Sequence, residues 1–280
     1  MGAAADRLKP AVAATASAAR ATLLTVDVEP DWGAVAAPGA PCEGLRRALP
    51  RLLEELDARG VRATFFVVGE LAEEFARHVG PAAGHEVGAH GLTHRRLSRL
   101  PAAEREREVR QARARLVAAG FDVAGFRAPW LDAPEGLAAL LADAGYRYDA
   151  SAGALGPSRR NRGGPPCAVE AGGIGRLSAG ALALLGAPAN LTWLRLLDPL
   201  GLALLPRRPG QLSLHLHELL PATGASSGMP WPASRLHVRG CGPRAWELLR
   251  GALDRSRDGG CRFVTCRELL DDGPPAVGAA

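Results

Sequence analysis

Lysine is almost missing from this chain: Lys9 is the only one, and every other basic residue is arginine. With the abundance of Ala, Gly and Pro, that marks a compositional bias of the source genome, so the net charge of +5 carries little functional weight. Aromatic residues are scarce at 5%. The short basic clusters Arg95-Arg96 and Arg159-Arg160 have none interleaved, which argues against a nucleic-acid surface. The five cysteines (Cys42, Cys167, Cys241, Cys261 and Cys266) are an odd number without a CxxC pair. A disulfide framework is thereby disfavoured; a reducing compartment suits the thiols, which read as small core residues. Met1 to Arg20 is alanine-rich but broken by Asp6, Arg7, Lys9 and Pro10, so it lacks the continuous apolar core of a signal peptide. No apolar run reaches membrane-helix length. Residues 178–206 come closest, and Pro188, Asn190, Arg195 and Asp198 interrupt them. No internal repeat is visible, and no Cys/His signature of covalent catalysis is present. The expectation is a cytoplasmic protein.

What is there suits one α/β domain. The 280 residues are 47% hydrophobic, enough for one substantial core. After a leader over residues 1–20, read as disordered, Ala21 to Val28 (ATLLTVDV) reads as a buried strand. Gly44 to Arg59 has helical apolar spacing, and Gly60 is placed to end it. Val61 to Val68 is the next strand, Leu71 to Val79 a short helix, and Glu86 to Ala89 a short strand. Pro101 opens an amphipathic helix running to Ala119. Phe121 to Arg127 is strand-like and Pro134 to Ala144 helical. Gly210 to His217 contains a strand, Arg244 to Arg255 is a helix, and Arg262 to Thr265 a strand. This alternation implies βαβ crossovers and a parallel sheet, open or closed into a barrel. Residues 150–209, rich in Gly, Pro and Leu, allow no assignment. The barrel domain is expected over residues 21–272, with 273–280 a tail.

The chemically capable residues fall at strand ends. Asp27 and Glu29 end the first strand; His90 and His94 follow the strand that closes at Ala89. Arg127 closes the strand beginning near Phe121, and His217 closes QLSLHLH. In a parallel barrel all strand C-termini share one face, which holds the active site. His90-Gly-Leu-Thr-His94 places two imidazoles on one face if the segment is a helical turn, able to grip one cation. A bare HxxxH is more often two surface histidines, and a nearby carboxylate tips the balance. Asp27-Val-Glu29 supplies it: in an extended chain both acids point one way and Val28 points into the core. One acid then binds metal and the other holds a water as general base. The plainer alternative is a solvated acidic strand end, with Asp31 nearby. Arg127-Ala-Pro-Trp130 joins a cation to a stiffened turn, suited to orienting a carboxylate or to a buried salt bridge. His215 and His217 lie two apart and both face inward in a strand. His78 and His85 suit helix or loop surfaces, and His237 falls where nothing assigns it a role.

With these residues in place, the chain resembles the polysaccharide deacetylase family, the NodB-homology domains of carbohydrate esterase family 4. The resemblance runs from about Thr22 to Leu270, with short motifs in the family's order: LLTVDVEPDW, RATFFVVGE, HEVGAHGLTHRRL, GFRAPW, AGYRYDAS, LSLHLHELLP and CRFVTCREL. It implies a distorted (β/α) barrel with seven parallel strands, and one divalent metal ion, zinc by preference. It makes His90 and His94 metal ligands and Asp27 the general base held by Arg127. The backbone N–H of Trp130 would help bind the oxyanion, His217 would be the general acid, and Asp149 would orient or tune that histidine. Many members carry two adjacent acids where this chain has Asp27-Val28. The chain is similar instead to a branch with a DxE pattern, which makes Glu29 the carboxylate ligand and leaves Asp27 and Asp31 as alternatives. The aromatic that usually follows the later acid is also absent from Asp149-Ala-Ser151.

The implied chemistry is attack of metal-activated water on an N-acyl amide, with N-acetyl foremost. The implied partner is an N-acylated amino sugar or glycoconjugate rather than nucleic acid. Two alternatives stay open: a non-sugar linear or cyclic amide on the same barrel, and a catalytically inactive binding homologue.

Overall fold

A computed structural model describes residues 21–272 except 38, 81–82, 153–166, 170–173, 179, 183–186, 209 and 224–231. The expected leader and tail and the Arg159-Arg160 cluster lie outside the described residues. Among the described residues nine strands form one sheet: β1 (Ala21–Val28), β2 (Thr64–Val67), β3 (Glu86–Ala89), β4 (Gly125–Phe126), β5 (Tyr148–Ala152), β6 (Cys167–Val169), β7 (Gly175–Ser178), β8 (Gln211–His215) and β9 (Arg262–Val264). Their order is β6-β7-β5-β4-β3-β2-β1-β8, with β9 pairing β1 beside this path. The run from β7 to β8 is seven parallel strands; β9 is parallel to β1, and β6 is an antiparallel edge. Among the described residues no ladder joins β8 to β7, so the sheet curls into an open, distorted barrel.

Two cores explain why β1 is buried along its whole length. Leu24, Val26 and Val28 point outward into the large core beneath the helices. Leu23 points inward with Phe66, Tyr148, Ala150 and Leu177. A strand covered on both faces needs a continuous apolar run, which is what ATLLTV supplies. The same alternation puts Asp27 on the concave side, with Leu23.

The helices are α1 (Leu49–Ala58), α2 (Ala72–Ala76), α3 (Ala102–Ala118), α4 (Leu137–Asp143), α5 (Leu191–Leu196), α6 (Gly201–Leu204), α7 (Ala233–Val238), α8 (Pro243–Asp258) and α9 (Cys266–Asp271). A π-helical turn, Gly44–Ala48, leads into α1. That helix buries Leu49, Leu52 and Leu56, each contributing about 1.5–3 kcal/mol of transfer free energy. It ends where Gly60 takes a left-handed φ of 59°. In α9 the Thr265 hydroxyl accepts from Glu268 N, and the Glu268 carboxylate accepts from Thr265 N, closing a capping box. No helix among the described residues is long and apolar enough to cross a membrane.

Inside the barrel, away from the strand ends that carry the histidines, Glu86 accepts from Tyr148 Oη (2.9 Å), Thr64 Oγ1 (2.9 Å) and Arg267 N (2.9 Å). The Tyr148 ring lies so close to Gly125 that a Cβ there would sit 1.9 Å from Cζ. The short β4 therefore has a glycine where the tyrosine crosses the interior.

Two expected strands are shorter than the sequence suggests. Phe121 to Arg127 contributes only Gly125–Phe126 to the sheet. The late strand stops at His215, and Leu216–Leu219 is a 3-10 turn. Glu218 causes that break by bonding back to His215 N at 2.8 Å. The unassigned stretch 150–209 supplies β6, β7, α5 and α6. Cys42 and Cys266 are buried as expected, whereas Cys241 and Cys261 are only partly covered; all four are free thiols.

Candidate metal centre and active site

The strand C-termini of β1, β3, β4 and β8 open onto one cleft of about 190 Å³. Asp27, Glu29, His90, His94, Arg127, Trp130 and His217 all line it. His90 and His94 do not meet on a helical turn as the spacing suggested. They flank an irregular loop in which Gly91 has φ 72° and His94 φ 63°. The loop is held by Glu108, a fully buried carboxylate on α3. It accepts from Leu92 N (2.7 Å) and Thr93 N (2.8 Å), and also from Thr93 Oγ1. Amides without a main-chain acceptor in this loop are satisfied by this side chain.

The two imidazoles converge on Glu29. Its Oε2 is 3.2 Å from His90 Nε2 and 2.8 Å from His94 Nε2, and one donor atom from each residue falls within 4.8 Å of the others. His90 Nδ1 donates to the Arg127 carbonyl at 2.9 Å. In a neutral ring that places the Nε2 lone pair toward the carboxylate. Two acceptors facing each other, beside a buried His94 whose ring nitrogens have no aligned hydrogen-bond partner, fit a divalent cation between them. Without one, burial opposes charge on both partners. Even so, His94 and His215 hold Glu29 well below the usual carboxylate range, and Glu29 raises His94.

Asp31 is a poor alternative ligand. Its two oxygens accept from Glu43 N (2.7 Å) and Gly44 N (3.0 Å), anchoring the turn ahead of α1. Asp27 stays beside the triad. Its Oδ1 accepts from Arg127 Nη1 at 2.6 Å, and the same nitrogen donates to Thr25 Oγ1 at 3.1 Å. Burial opposes the charge on Asp27, but Arg127 and the nearby histidines outweigh it and keep the group below its ordinary pKa.

The two late histidines sit in different surroundings. His215 has a side chain 30% exposed to the cleft, with Nε2 3.8 Å from Asp27 Oδ2. Its Nδ1 lies 3.3 Å from Glu218 Oε2. The other oxygen of Glu218 accepts from Arg195 Nη2 (2.8 Å), Arg195 Nε (3.1 Å) and Thr192 Oγ1 (2.7 Å). Burial lowers His215, but Glu29, Glu218 and Asp27 raise it to about 10. His217, by contrast, is 6% exposed. Burial and the His215 charge push it down to about 3. It lies on the 3-10 turn rather than the strand, so the two rings are not successive inward positions of one strand.

Asp149 is not at the cleft. Ala150 faces the interior, so its neighbour faces the helices, and Asp149 Oδ1 accepts from Ser151 N at 2.8 Å. The carboxylate that serves the late histidine is Glu218, which directly follows His217 in the sequence.

Trp130 stands at the cleft mouth, 45% exposed, its ring 5.6 Å from His94 and beneath the Arg96 guanidinium. Trp32 faces His217 at 4.5 Å and His237 at 5.3 Å. Trp32 closes the motif LLTVDVEPDW but was given no role there, and His237 lies outside every motif. The four non-glycine residues with left-handed backbones among the described residues are Trp32, His94, Trp130 and Leu131. All four line this cleft. Such conformations cost about 1–3 kcal/mol each and collect at functional sites.

A curled parallel barrel with a buried Glu-His-His cluster at its strand ends, flanked by an Arg-held aspartate and a Glu-held histidine, defines a hydrolase-type site. Residues 16–148 match the family model for polysaccharide deacetylase. That stretch is similar to polysaccharide deacetylases, hydrolases that act on carbon–nitrogen bonds other than peptide bonds. It carries Asp27, Glu29, His90, His94, Arg127 and Trp130. Solved structures agree on the fold. A putative polysaccharide deacetylase from Mycobacterium smegmatis is 18% identical with a TM-score of 0.61, over 90% of this chain and 88% of that one. The chitin deacetylase of Colletotrichum lindemuthianum is 21% identical with a TM-score of 0.54, over 91% and 89%. A CE4 family pseudoenzyme from Bacillus anthracis is 18% identical with a TM-score of 0.56, over 90% of this chain and 66% of that protein.

Proposed function

We propose that the protein is a metal-dependent deacylase that hydrolyses the N-acyl, foremost N-acetyl, amide of an amino sugar or glycoconjugate. The observation that carries this reading is the Glu29 oxygen placed 3.2 Å and 2.8 Å from the Nε2 atoms of His90 and His94. Glu29, His90 and His94 would hold one divalent ion, zinc by the character of the donors, which supplies Lewis acidity for the carbonyl and lowers the pKa of water. Asp27 serves as general base, its carboxylate kept ionised and aimed by Arg127. The Trp130 backbone N–H is the donor assigned to the developing oxyanion.

For the proton to the leaving amine the geometry favours His215 over His217. His215 Nδ1 is engaged by Glu218, which turns Nε2 toward Asp27 and the cleft. An amine leaves poorly unless protonated, and a positioned acid is worth about 10²–10⁴ in rate. The unpaired thiols suit a substrate met inside the cell, which a fluorescent fusion of the full chain tests.

The test is metal analysis joined to a mass-spectrometric screen. Zinc-loaded protein should release acetate from at least one N-acetyl amino sugar, and His90→Ala and His94→Ala should lose the metal. Full zinc occupancy in the double variant would sink the metal assignment. Turnover confined to non-sugar amides would replace the substrate class, and no turnover on either set would leave a binding homologue.

A further inference from the structure

His217 is left over by this chemistry, yet it is among the most constrained side chains in the cleft. The Trp32 backbone N–H donates to its Nδ1 at 3.3 Å. A nitrogen that accepts an N–H carries no proton of its own, so the neutral ring must hold its proton on Nε2. The ring is fixed on three sides. Trp32 lies 4.5 Å away, His237 is stacked at 6.3 Å and 25°, and His215 is stacked at 5.4 Å and 20°. His217 lines the cleft and is 6% exposed. Among the described residues nothing accepts from its Nε2. A nearly buried donor left open is costly unless something else satisfies it.

We propose that His217 is a specificity-determining residue, its Nε2–H a fixed donor to an oxygen of the substrate. The reading rests on the proposed N-deacylase activity and deepens it. With the leaving nitrogen at His215 Nε2, the parallel ring of His217 addresses an atom only a few bonds away. The chemistry that fits is an acylamino group with a hydroxyl on a neighbouring carbon, as an amino sugar carries and a simple alkyl amide lacks. Because Trp32 supplies an N–H, protonating Nδ1 would set two donors against each other. The ring therefore stays a neutral donor, unsuited to releasing a proton. Trp32 sets the tautomer through its main chain and walls the same side of the cleft with its indole.

Nitrogen-15 NMR on the full chain, titrated with N-acetylglucosamine, tests this. The free protein at neutral pH should show His217 neutral with its proton on Nε2; a proton on Nδ1 or an imidazolium overturns the proposal. On titration the Nε2–H signal should shift together with the Trp32 and Trp130 indole signals. If the indole signals move while His217 stays fixed, the sugar binds without this donor and the proposal alone fails. If none moves, the protein does not bind this amino sugar and the proposal falls, while the turnover screen judges the deacylase reading separately. His217→Phe should bind N-acetylglucosamine roughly tenfold more weakly. His217→Gln, which keeps an N–H near the Nε2 position, should recover part of that loss. Equal weakening in both variants would overturn the donor role.

Discussion

Arg127 Nη1 donates to Asp27 Oδ1 at 2.6 Å, joining the fourth strand to the first beside the Glu29-His90-His94 cluster. The same side chain donates through Nε to the Ala150 carbonyl at 3.2 Å and lies 4.1 Å over the Phe66 ring. One guanidinium thus ties four strands of the barrel together while it orients the proposed base.

Arg127→Lys should keep the charge and lose the fork. An ammonium cannot bond Asp27, Thr25 and the Ala150 carbonyl in this planar arrangement. Turnover is expected to fall by roughly 10²-fold, in the range of a misplaced general base, while zinc content stays near wild type. Metal analysis beside steady-state kinetics checks this. Loss of the metal along with the rate would show that Arg127 acts through the cluster rather than through Asp27.

Glu108 lies outside every motif, on a helix whose sequence reads as an ordinary charged surface. Its carboxylate nonetheless accepts from Leu92 N and Thr93 N between the two histidines. Glu108→Gln replaces one acceptor oxygen with a donor and must break part of that set. Zinc affinity should drop by about 10–100-fold, as for other residues that orient metal ligands. Isothermal titration with zinc measures it; an unchanged affinity would reduce Glu108 to a loop tether.

His217 also governs acid stability. Its pKa is about 3 in the folded state, against about 6.5 in an unfolded chain. Between those values the unfolded chain binds more protons, so stability is full above about pH 6.5 and declines as pH falls toward 3. At pH 5 the loss is about 2 kcal/mol, from 1.36 kcal/mol for each unit below 6.5. His217→Phe should remove this part of the slope. Thermal melts from pH 7 to pH 4 on the metal-free protein decide it, and parallel curves for both proteins would refute it.

How much of this was legible in the sequence follows from what each feature depends on. Buried strands and amphipathic helices are local patterns, so β1, β3, α1 and α8 could be read directly. The Glu29-His90-His94 cluster was legible because these residues sit beside strand ends that topology brings together. What escaped depends on side chains acting across the fold. Glu108 shapes the histidine loop from a helix, and Arg195 reaches Glu218 from the stretch where Gly, Pro and Leu obscure periodicity. Asp149 was misplaced because a motif position does not state which face of its strand it occupies. The backbone setting of His217 was missed for a related reason. Strict alternation through 217 was assumed, whereas Glu218 folds back on His215 N and ends the strand two residues earlier.

The role proposed for His215 is the basis of the last prediction. Glu218 Oε1 is held by Arg195 and Thr192, and Oε2 faces His215 N and Nδ1. If His215 is the general acid, it must enter the reaction protonated, so the rate falls on the alkaline side as it loses its proton. Glu218 is one of the carboxylates that keep His215 protonated, alongside Glu29 and Asp27. Glu218→Gln should therefore move the alkaline limb of kcat/KM to lower pH and reduce the plateau by roughly tenfold or more, because Nδ1 loses its charged acceptor. His215→Ala should lose about 10²–10⁴ in turnover with its zinc retained. His217→Phe should keep the position of the alkaline limb, since its ring is already neutral across that range. The comparison is a pH profile for wild type and the three variants on one N-acetyl amino sugar. An alkaline limb that moves in His217→Phe and stays fixed in Glu218→Gln would return the acid's role to His217.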